Sequence, residues 1–271
     1  MNWLTIFLVV LVVPLALVGL VTLGFALRPR PYRPHPVPTH PGDPAAFRPD
    51  LPEPVLRHFR DTLGEHPQQI TSAVVWGRGR ACIRGIWMPL RFRTWYLPGE
   101  AFLRRVEVTW FTRPVMRGVE YYRNGKGFFE LGGNREEGPH RDFNEQVAMW
   151  AEMLWLPSVL VHGPLAQWEA VSETEARLNF NTGTGAGSLL AQFDPATGRM
   201  QSLSGLRMEE ELGTTEPWQL NLLEWKNFHG LLLPYHTSVA WGEGGSPTSY
   251  WVIDGVAYNV NIDPFLHGEN P

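Results

Sequence analysis

Residues able to do chemistry are few and scattered along this chain. Nine histidines are present, but none falls into H-E-x-x-H or H-x-H, the spacings that bring two imidazoles to one metal. His35 and His40 lie among prolines, and His140, His162, His229 and His236 stand alone in sequence, as ordinary core or surface histidines do. The one cysteine, Cys82, removes intramolecular disulfides and cysteine-based zinc sites together. There is no G-x-S-x-G elbow, no G-x-x-x-x-G-K-[ST] loop and no G-x-G-x-x-G opening a helix. Gly183-Thr184-Gly185-Ala186-Gly187 is glycine-rich but falls between strand patterns, so it reads as a hairpin loop. No catalytic residue, metal site or cofactor is assigned.

Two carboxylates and four arginines hold more interest. Glu145 and Glu152 are seven apart on a helical pattern, hence on one face, where paired carboxylates could move protons. That face points away from the helix's apolar stripe, which favours a solvated or ion-paired role. Arg78 and Arg80 share one strand face, and Arg91 and Arg93 share a face of the next. Stacked guanidinium groups repel, so acids or an anionic ligand must lie between them. Glu107 and Glu120, on the two strands that follow, would supply the acids of an outer-face ladder. An anionic headgroup bound by Arg78, Arg80, Arg91 and Arg93 is the alternative. Glu209-Glu210-Glu211 reads as a solvated edge.

The elements that must position these residues are mostly strands. Ala176, Leu178 and Phe180 alternate with Glu175, Arg177 and Asn179; Val106, Val108 and Trp110, and Trp218, Leu220 and Leu222, alternate likewise. Asn124-Gly125 signals a two-residue hairpin between 116–123 and 126–131. Turns at 194–198, 229–230 and 242–247 bring the count to ten or eleven strands in an antiparallel meander. Two helices interrupt it. Residues 53–64 carry Leu56, Phe59 and Leu63 on one face, and 141–156 carry Phe143, Val147, Trp150, Ala151 and Leu154 on one stripe before Pro157. Met149, Met153, Trp155 and Leu156 widen that stripe, so the second helix needs cover on more than one side. The concavity of a curved sheet would give it that cover.

A chain that is 44% hydrophobic and 18% charged buries a sizeable core, and a net charge of −4 argues against a nucleic-acid partner. Ahead of the domain, residues 4–27 run 24 residues without a charge. As a helix they reach about 36 Å, enough to cross a ~30 Å hydrocarbon core. Trp3 sits where an interfacial anchor belongs, and an internal Pro14 is tolerated in a span. A cleaved signal peptide is the rival reading, with Gly24 and Ala26 before the cut, but the run is long for one and no Lys or Arg precedes it. Ten prolines between Pro29 and Pro54 make a stiff spacer of little packing power. The organisation is therefore a membrane anchor at 1–28, a proline-rich spacer at 29–50 and one β-rich domain at 51–271. Arg28, Arg30 and Arg33 after the span favour a cytoplasmic domain, while the stalk favours an extracytoplasmic one. The side stays open.

Certain segments occur in a fixed order: LPEPVLRHF at 51–59, WMPLRF at 87–92, YYRNGKGFF at 121–129, EQVAMWAEMLWLPSVLV at 145–161 and PWQLNLLEWKNFHGLLLPYHTSVAW at 217–241. In them the chain from about 51 to 262 resembles an uncharacterised bacterial family of membrane-associated domains, with Glu145, Ala151-Glu152 and Trp155-Leu156-Pro157 at the helical signature. The resemblance implies one fold and brings no activity. In architecture the domain resembles the lipoprotein-carrier (LolA-type) half-barrel: mainly β, one highly curved antiparallel sheet with a few packed helices.

Three functions follow. The first is a non-catalytic domain, tethered to the bilayer through 4–27, that binds a lipid or other apolar ligand against Phe143, Val147, Trp150 and Leu154. The second is an enzyme on membrane-derived substrates using Glu145, Glu152 or converging histidines; a structural envelope role is a third. Carboxylates buried in a pocket favour the enzyme and a polar-free cavity favours the carrier.

Overall fold

The fold is a computed structural model that describes residues 3–37, 39–40, 42–181, 186–208 and 214–266. Residues 183–185 of the glycine-rich loop and the acidic run Glu209-Glu210-Glu211 lie outside the described residues.

Alternating apolar residues pair into one antiparallel sheet of thirteen strands among the described residues. Six form a first meander: β1 (Ala73–Ile83), β2 (Ile86–Leu97), β3 (Ala101–Trp110), β4 (Arg113–Arg123), β5 (Lys126–Leu131) and β6 (Asn134–Glu137). Seven form a second: β7 (Ala166–Ala170), β8 (Glu175–Asn181), β9 (Ala186–Phe193), β10 (Met200–Met208), β11 (Thr215–Phe228), β12 (Leu231–Trp241) and β13 (Pro247–Tyr258). The count exceeds the alternation pattern partly because β6, Asn-Arg-Glu-Glu, is short and wholly polar. Asn124 and Gly125 take positive φ, 48° and 83°, and make the expected two-residue hairpin.

Strand order is β6-β5-β4-β3-β2-β1-β13-β12-β11-β10-β9-β8-β7, so the chain's first and last strands meet in the middle. Its two edges, β6 and β7, are consecutive in sequence, and the link between them is helical. It comprises α3 (Pro139–Glu152), a 3-10 turn (Met153–Trp155) and α4 (Ser158–Val161). Laid flat, thirteen strands at ~4.8 Å would part the edges by about 58 Å. The link's helices cover about half of that. The sheet therefore curls around its own connection, and α3 packs on β4, β5 and β6 from one meander and β9 and β10 from the other. This is the helix in the concavity that the apolar breadth of 141–156 requires. The helix itself starts two residues earlier than expected and gives way to the 3-10 turn at Met153.

Inside the curl lies the main core. It includes Val75, Phe92, Phe102 and Val106 from the first meander, Leu178, Leu203 and Leu220 from the second, and Val147, Trp150 and Leu154 between them. The helix α2 (Glu53–Leu63) closes its other end with Val55 and Phe59. His58 of α2 is buried and accepts the Met200 N–H at Nδ1, 3.2 Å, so it is a satisfied core histidine. Burial first, and the Arg199 charge second, push its pKa down to about 3. A smaller core of Val74, Trp76, Trp95, Leu103 and Ala257 sits on the outer face under α5 (Asp263–Leu266).

The proline-rich segment has more packing power than its composition implies. Tyr32 lies over the Arg91 and Arg93 guanidinium groups at 4.6 and 5.1 Å, and Arg93 donates to the Arg33 carbonyl. His40 N–H bonds the Tyr258 carbonyl at 3.1 Å, and Pro44 bridges to Gln68. Prolines have no N–H but keep their carbonyls, and Tyr32, with Phe47 packed on the main core and Arg48 bonded to the Gly163 carbonyl at 2.8 Å, docks the strap.

The N-terminal helix α1 (Trp3–Ala26) is 24 residues long with Pro14 inside it. Among the described residues no helix is long and apolar enough to cross a membrane, so the span expected over 4–27 is not shown by the structure. What the structure gives is where α1 ends. A bulge between Val108 and Thr109 breaks the alternation of β3, and Trp110 meets α1 instead of the core. Phe111 N–H bonds the Gly24 carbonyl at 3.0 Å, and a Cβ on Gly24 would fall 2.0 Å from the Trp110 ring nitrogen. Only glycine permits that approach.

Candidate functional site

Arg104 stands two residues before Val106 and so points into the concavity with it, and the register sets it opposite Glu120 on β4. A guanidinium that leaves water must be taken in by other groups. Its Nη1 meets Glu120 at 2.5 Å, Nη2 meets Glu152 from α3, and Nε donates to Thr94 Oγ1 at 3.1 Å. Tyr96, buried beside them, donates its hydroxyl to the same Glu152 oxygen at 2.5 Å.

Of the solvated and ion-paired alternatives, Glu145 takes the ion-paired one, with Arg141 Nη1 3.6 Å from its Oε1. It is 0% exposed, because α3 is covered by β5 as well as by β10. Gly127 on β5 makes the room: a Cβ there would lie 2.9 Å from the Glu145 side chain. Burial, then the Glu120 charge, hold the Glu145 carboxyl well above the usual carboxylate range, against the pull of Arg207 and Arg141, and neither of its oxygens has a hydrogen-bond partner. Burial also acts to raise Glu120, but Arg104, with Glu145, Arg207 and Arg141 beside it, holds it below its ordinary value. Glu152 is raised, by burial, against the pull of Arg104.

The second buried cation comes from β10. Arg207 is 8% exposed and donates Nη2 to the Asn144 carbonyl at 2.9 Å, while its Nε has no hydrogen-bond partner. Its guanidinium lies 5.6 Å over Trp218 and 5.3 Å over Trp241. Burial pulls its pKa down, with Glu145 and Glu120 opposing. Asn144 fixes this corner by bonding Met208 through both its amide groups, 2.7 and 2.8 Å.

These groups line a cavity of about 240 Å³. Arg104, Glu120, Glu152 and Arg207 form its ionic side; Ala81, Ile83, Leu90, Val106, Val108, Leu131, Val239 and the rings of Phe129, Trp218, Trp241 and Trp251 form the rest, with Ser249 and with Ala148 of α3. A wider, open depression of about 1070 Å³ lies by β7–β11, lined by Phe143, Phe180, Leu190 and Leu206 among others.

Of the residues singled out in the sequence, Phe143 borders that depression. Val147, Trp150 and Leu154 are buried in the core, Trp150 stacked on Phe180 with centroids 5.3 Å apart. The four arginines stay on the outer face and are not gathered to a point. Arg78 pairs with Asp254 at 2.6 and 2.8 Å, Arg91 with Glu107 at 2.5 Å, Arg80 stacks on Trp87 and Tyr250, and Arg93 holds the strap. Glu107 joins that ladder, whereas Glu120 faces inward to Arg104. Arg104, Tyr96, Thr94 and Arg207 escaped the sequence reading. Among the described residues no group of three or more His, Cys, Asp or Glu side chains could hold a metal.

This one domain, from strap to last strand, is what a single family model covers. Residues 44–253 match a family of unknown function, DUF6544. The chain belongs to that family. No curated protein matches it. Among solved structures, the DUF6544 domain is similar to a LolA superfamily protein from Nitrosomonas europaea, at 11% identity and TM-score 0.43, over 79% of this chain and 95% of that one. It is also similar to a putative outer membrane lipoprotein-sorting protein domain from Vibrio parahaemolyticus, at 8% identity and TM-score 0.40, over 72% and 88%. A DUF1329 family protein from Desulfovibrio piger aligns at 8% identity and TM-score 0.35, over 73% and 90%. At these values the likenesses carry no argument about function.

Proposed function

We propose that this DUF6544 chain is a single-pass, membrane-anchored, non-catalytic protein that binds an apolar or amphipathic ligand, a lipid, in the cavity under α3. The observation that carries the reading is the cavity's lining, three tryptophans, Phe129 and eight aliphatic side chains against one ionic edge. Its 240 Å³ equals roughly eight waters at ~30 Å³ each, or a similar number of methylenes. Eight buried methylenes contribute about 6 kcal/mol before association costs. The ionic edge is already spoken for: Arg104 and Tyr96 converge on the same oxygen of Glu152, which braces the strands and leaves that oxygen nothing to offer a substrate.

Support for the anchor comes from α1. Its described side chains from Leu11 to Leu23 stand exposed and, but for Thr22 whose hydroxyl donates to the Val18 carbonyl, apolar, an arrangement that a bilayer stabilises and water does not.

One observation favours a second reading. Glu120 and Glu152 line the cavity, with the raised carboxyl of Glu145 behind them, and perturbed carboxyls in a cleft are what acid–base enzymes use. A single experiment separates the two. The full chain is expressed in cells fed a diazirine-bearing fatty acid, irradiated, and its cross-linked peptides mapped. The binding reading expects label on peptides holding Trp241 and Trp251, lost in Ala148→Trp, which fills the cavity, while label on α1 persists. Label on α1 alone in the wild type overturns it. Labelled lipid recovered chemically altered from wild type, and intact from Glu152→Gln, puts the enzyme first.

A further inference from the structure

The turns β1–β2 and β3–β4 lie at one end of the sheet, because both pairs are antiparallel and β2 is shared between β1 and β3. The tips there combine exposed apolar side chains with exposed arginines. Ile86, Trp87 and Val115 are large apolar side chains left 53%, 39% and 56% exposed, and Arg84 and Arg113 stand exposed among them. Phe111 and Thr112 hold positive φ, 47° and 64°, strain that a non-glycine turn bears only when its surroundings require it.

What borders this edge is α1. Its last turns pack on β2 and β3, with Gly24 against Trp110 and Phe111 as described, so the apolar helix leaves the domain from beside these tips. The docked strap, Tyr32 between Arg91 and Arg93, keeps the departure point from swinging away as a free proline stalk would. The cavity lies just behind the same edge: Ala81 and Ile83 at the end of β1, Ser249 near the start of β13, and Trp241 at the end of β12 all line it.

We infer that the edge formed by the β1–β2 and β3–β4 turns rests on the bilayer that α1 enters, so that the cavity takes its ligand directly from that membrane. Ile86, Trp87 and Val115 occupy the interfacial layer, where an indole is at home, and Arg84 and Arg113 meet anionic headgroups. The occupant is a lipid surface, because the apolar tips continue the apolar surface of α1 and basic residues flank them. The inference rests on α1 being the anchor proposed above, and the test reads the two separately.

The full chain in a Cys82→Ser background, carrying a single cysteine with a small fluorophore, is placed in nanodiscs of phosphatidylcholine and phosphatidylglycerol. Probes replace Leu17 on α1, Ile86 and Val115 on the edge, and Glu100 in the β2–β3 turn at the far end. Lipids with nitroxides on the headgroup or the acyl chain serve as quenchers. Headgroup nitroxides should quench the probes at 86 and 115 at least threefold more than the probe at 100, with acyl nitroxides quenching the probe at 17. A quenched probe at 17 with equal signals at 86, 115 and 100 overturns the membrane-facing edge and leaves the anchor standing. An unquenched probe at 17 overturns the anchor, and this inference with it. Raising salt should weaken the quenching at 86 and 115 but not at 17, as expected of arginines on anionic headgroups.

Discussion

On the inner face of the sheet, Arg104 has exchanged water for Glu120, Glu152 and Thr94; on the outer face, Arg78 keeps 32% of its side chain exposed beside Asp254. Both are arginines on long strands, and both hold carboxylates at hydrogen-bonding distance. The difference is the medium around them. Inside, burial makes every charge depend on its partners, and it raises the Glu145 carboxyl even with Arg141 3.6 Å away. Outside, arginines share their charge with rings, strap carbonyls and solvent. Ion pairs on the two faces should therefore differ severalfold in what their removal costs.

The largest effect belongs to Arg104→Met. It strands Glu120 and Glu152 in the core, and breaking a buried pair in this way costs about 3–5 kcal/mol. Urea unfolding of the full chain in detergent, followed by tryptophan fluorescence, measures it. Adding Glu152→Gln to that variant should restore part of the loss. A cost below about 1 kcal/mol would mean the inner cluster is solvated, and the contrast between the faces would collapse.

Much of this contrast was within reach of the sequence, and it is instructive which part was not. The alternation of Val106 and Val108 was plain; extended two residues back it puts Arg104 on the same face, but apolar patterns invite attention only to apolar residues. The breadth of the 141–156 helix correctly demanded cover on several sides. That cover applies equally to Glu145, which sits on the same helix and could not remain in water. The cavity itself was illegible, because it needs β1 paired with β13, the register Ala81↔Ser249, and no local period reports a contact between the two ends of a chain.

The next effect in size tests whether the inner side resists protons as it resists unpaired charge. His58 titrates at about 3 in the folded chain instead of 6.5, a lowered value, so its neutral form is the one the core accepts. Its contribution is intact above pH 6.5 and lost as pH falls, because the unfolded chain takes up the proton first. Between pH 6.5 and 5 the loss should reach about 2 kcal/mol, at ~1.36 kcal/mol per unit. Thermal unfolding across that range should show it, and His58→Leu should flatten the dependence. An equal slope in the variant would assign the effect to other groups.

Glu145 has the opposite sign and a smaller expected effect. Its folded pKa is raised, so its contribution is present at low pH and declines as pH rises past its unfolded value toward the folded one. Glu145→Gln keeps the side chain's shape and removes the titration. The variant should match wild type near pH 4 and become relatively more stable toward pH 8. A variant that loses stability relative to wild type as pH rises would show that Glu145 is ionised in the fold.

The smallest effect is on the outer face, and it decides whether the comparison is one of medium or merely of geometry. Arg78 meets Asp254 through two nitrogens at 2.8 and 2.6 Å, geometry as good as any pair of the inner cluster. If geometry ruled, Arg78→Gln would cost as much as Arg104→Met. Side-chain exposure of 32% and 17% leaves water at both ends of this pair, so each charge recovers hydration when its partner is lost. Exposed pairs measured in this way contribute about 0.2–1 kcal/mol. Arg78→Gln should fall in that range, and the cost should shrink further in 1 M salt, where the screening length drops to ~3 Å. Arg104→Met should lose little of its larger cost in the same salt, because ions do not enter its surroundings. Equal salt sensitivity at the two positions would refute the distinction between the faces; a salt-dependent Arg78 beside a salt-independent Arg104 would assign it to solvent access alone, since the hydrogen-bond geometry is common to both.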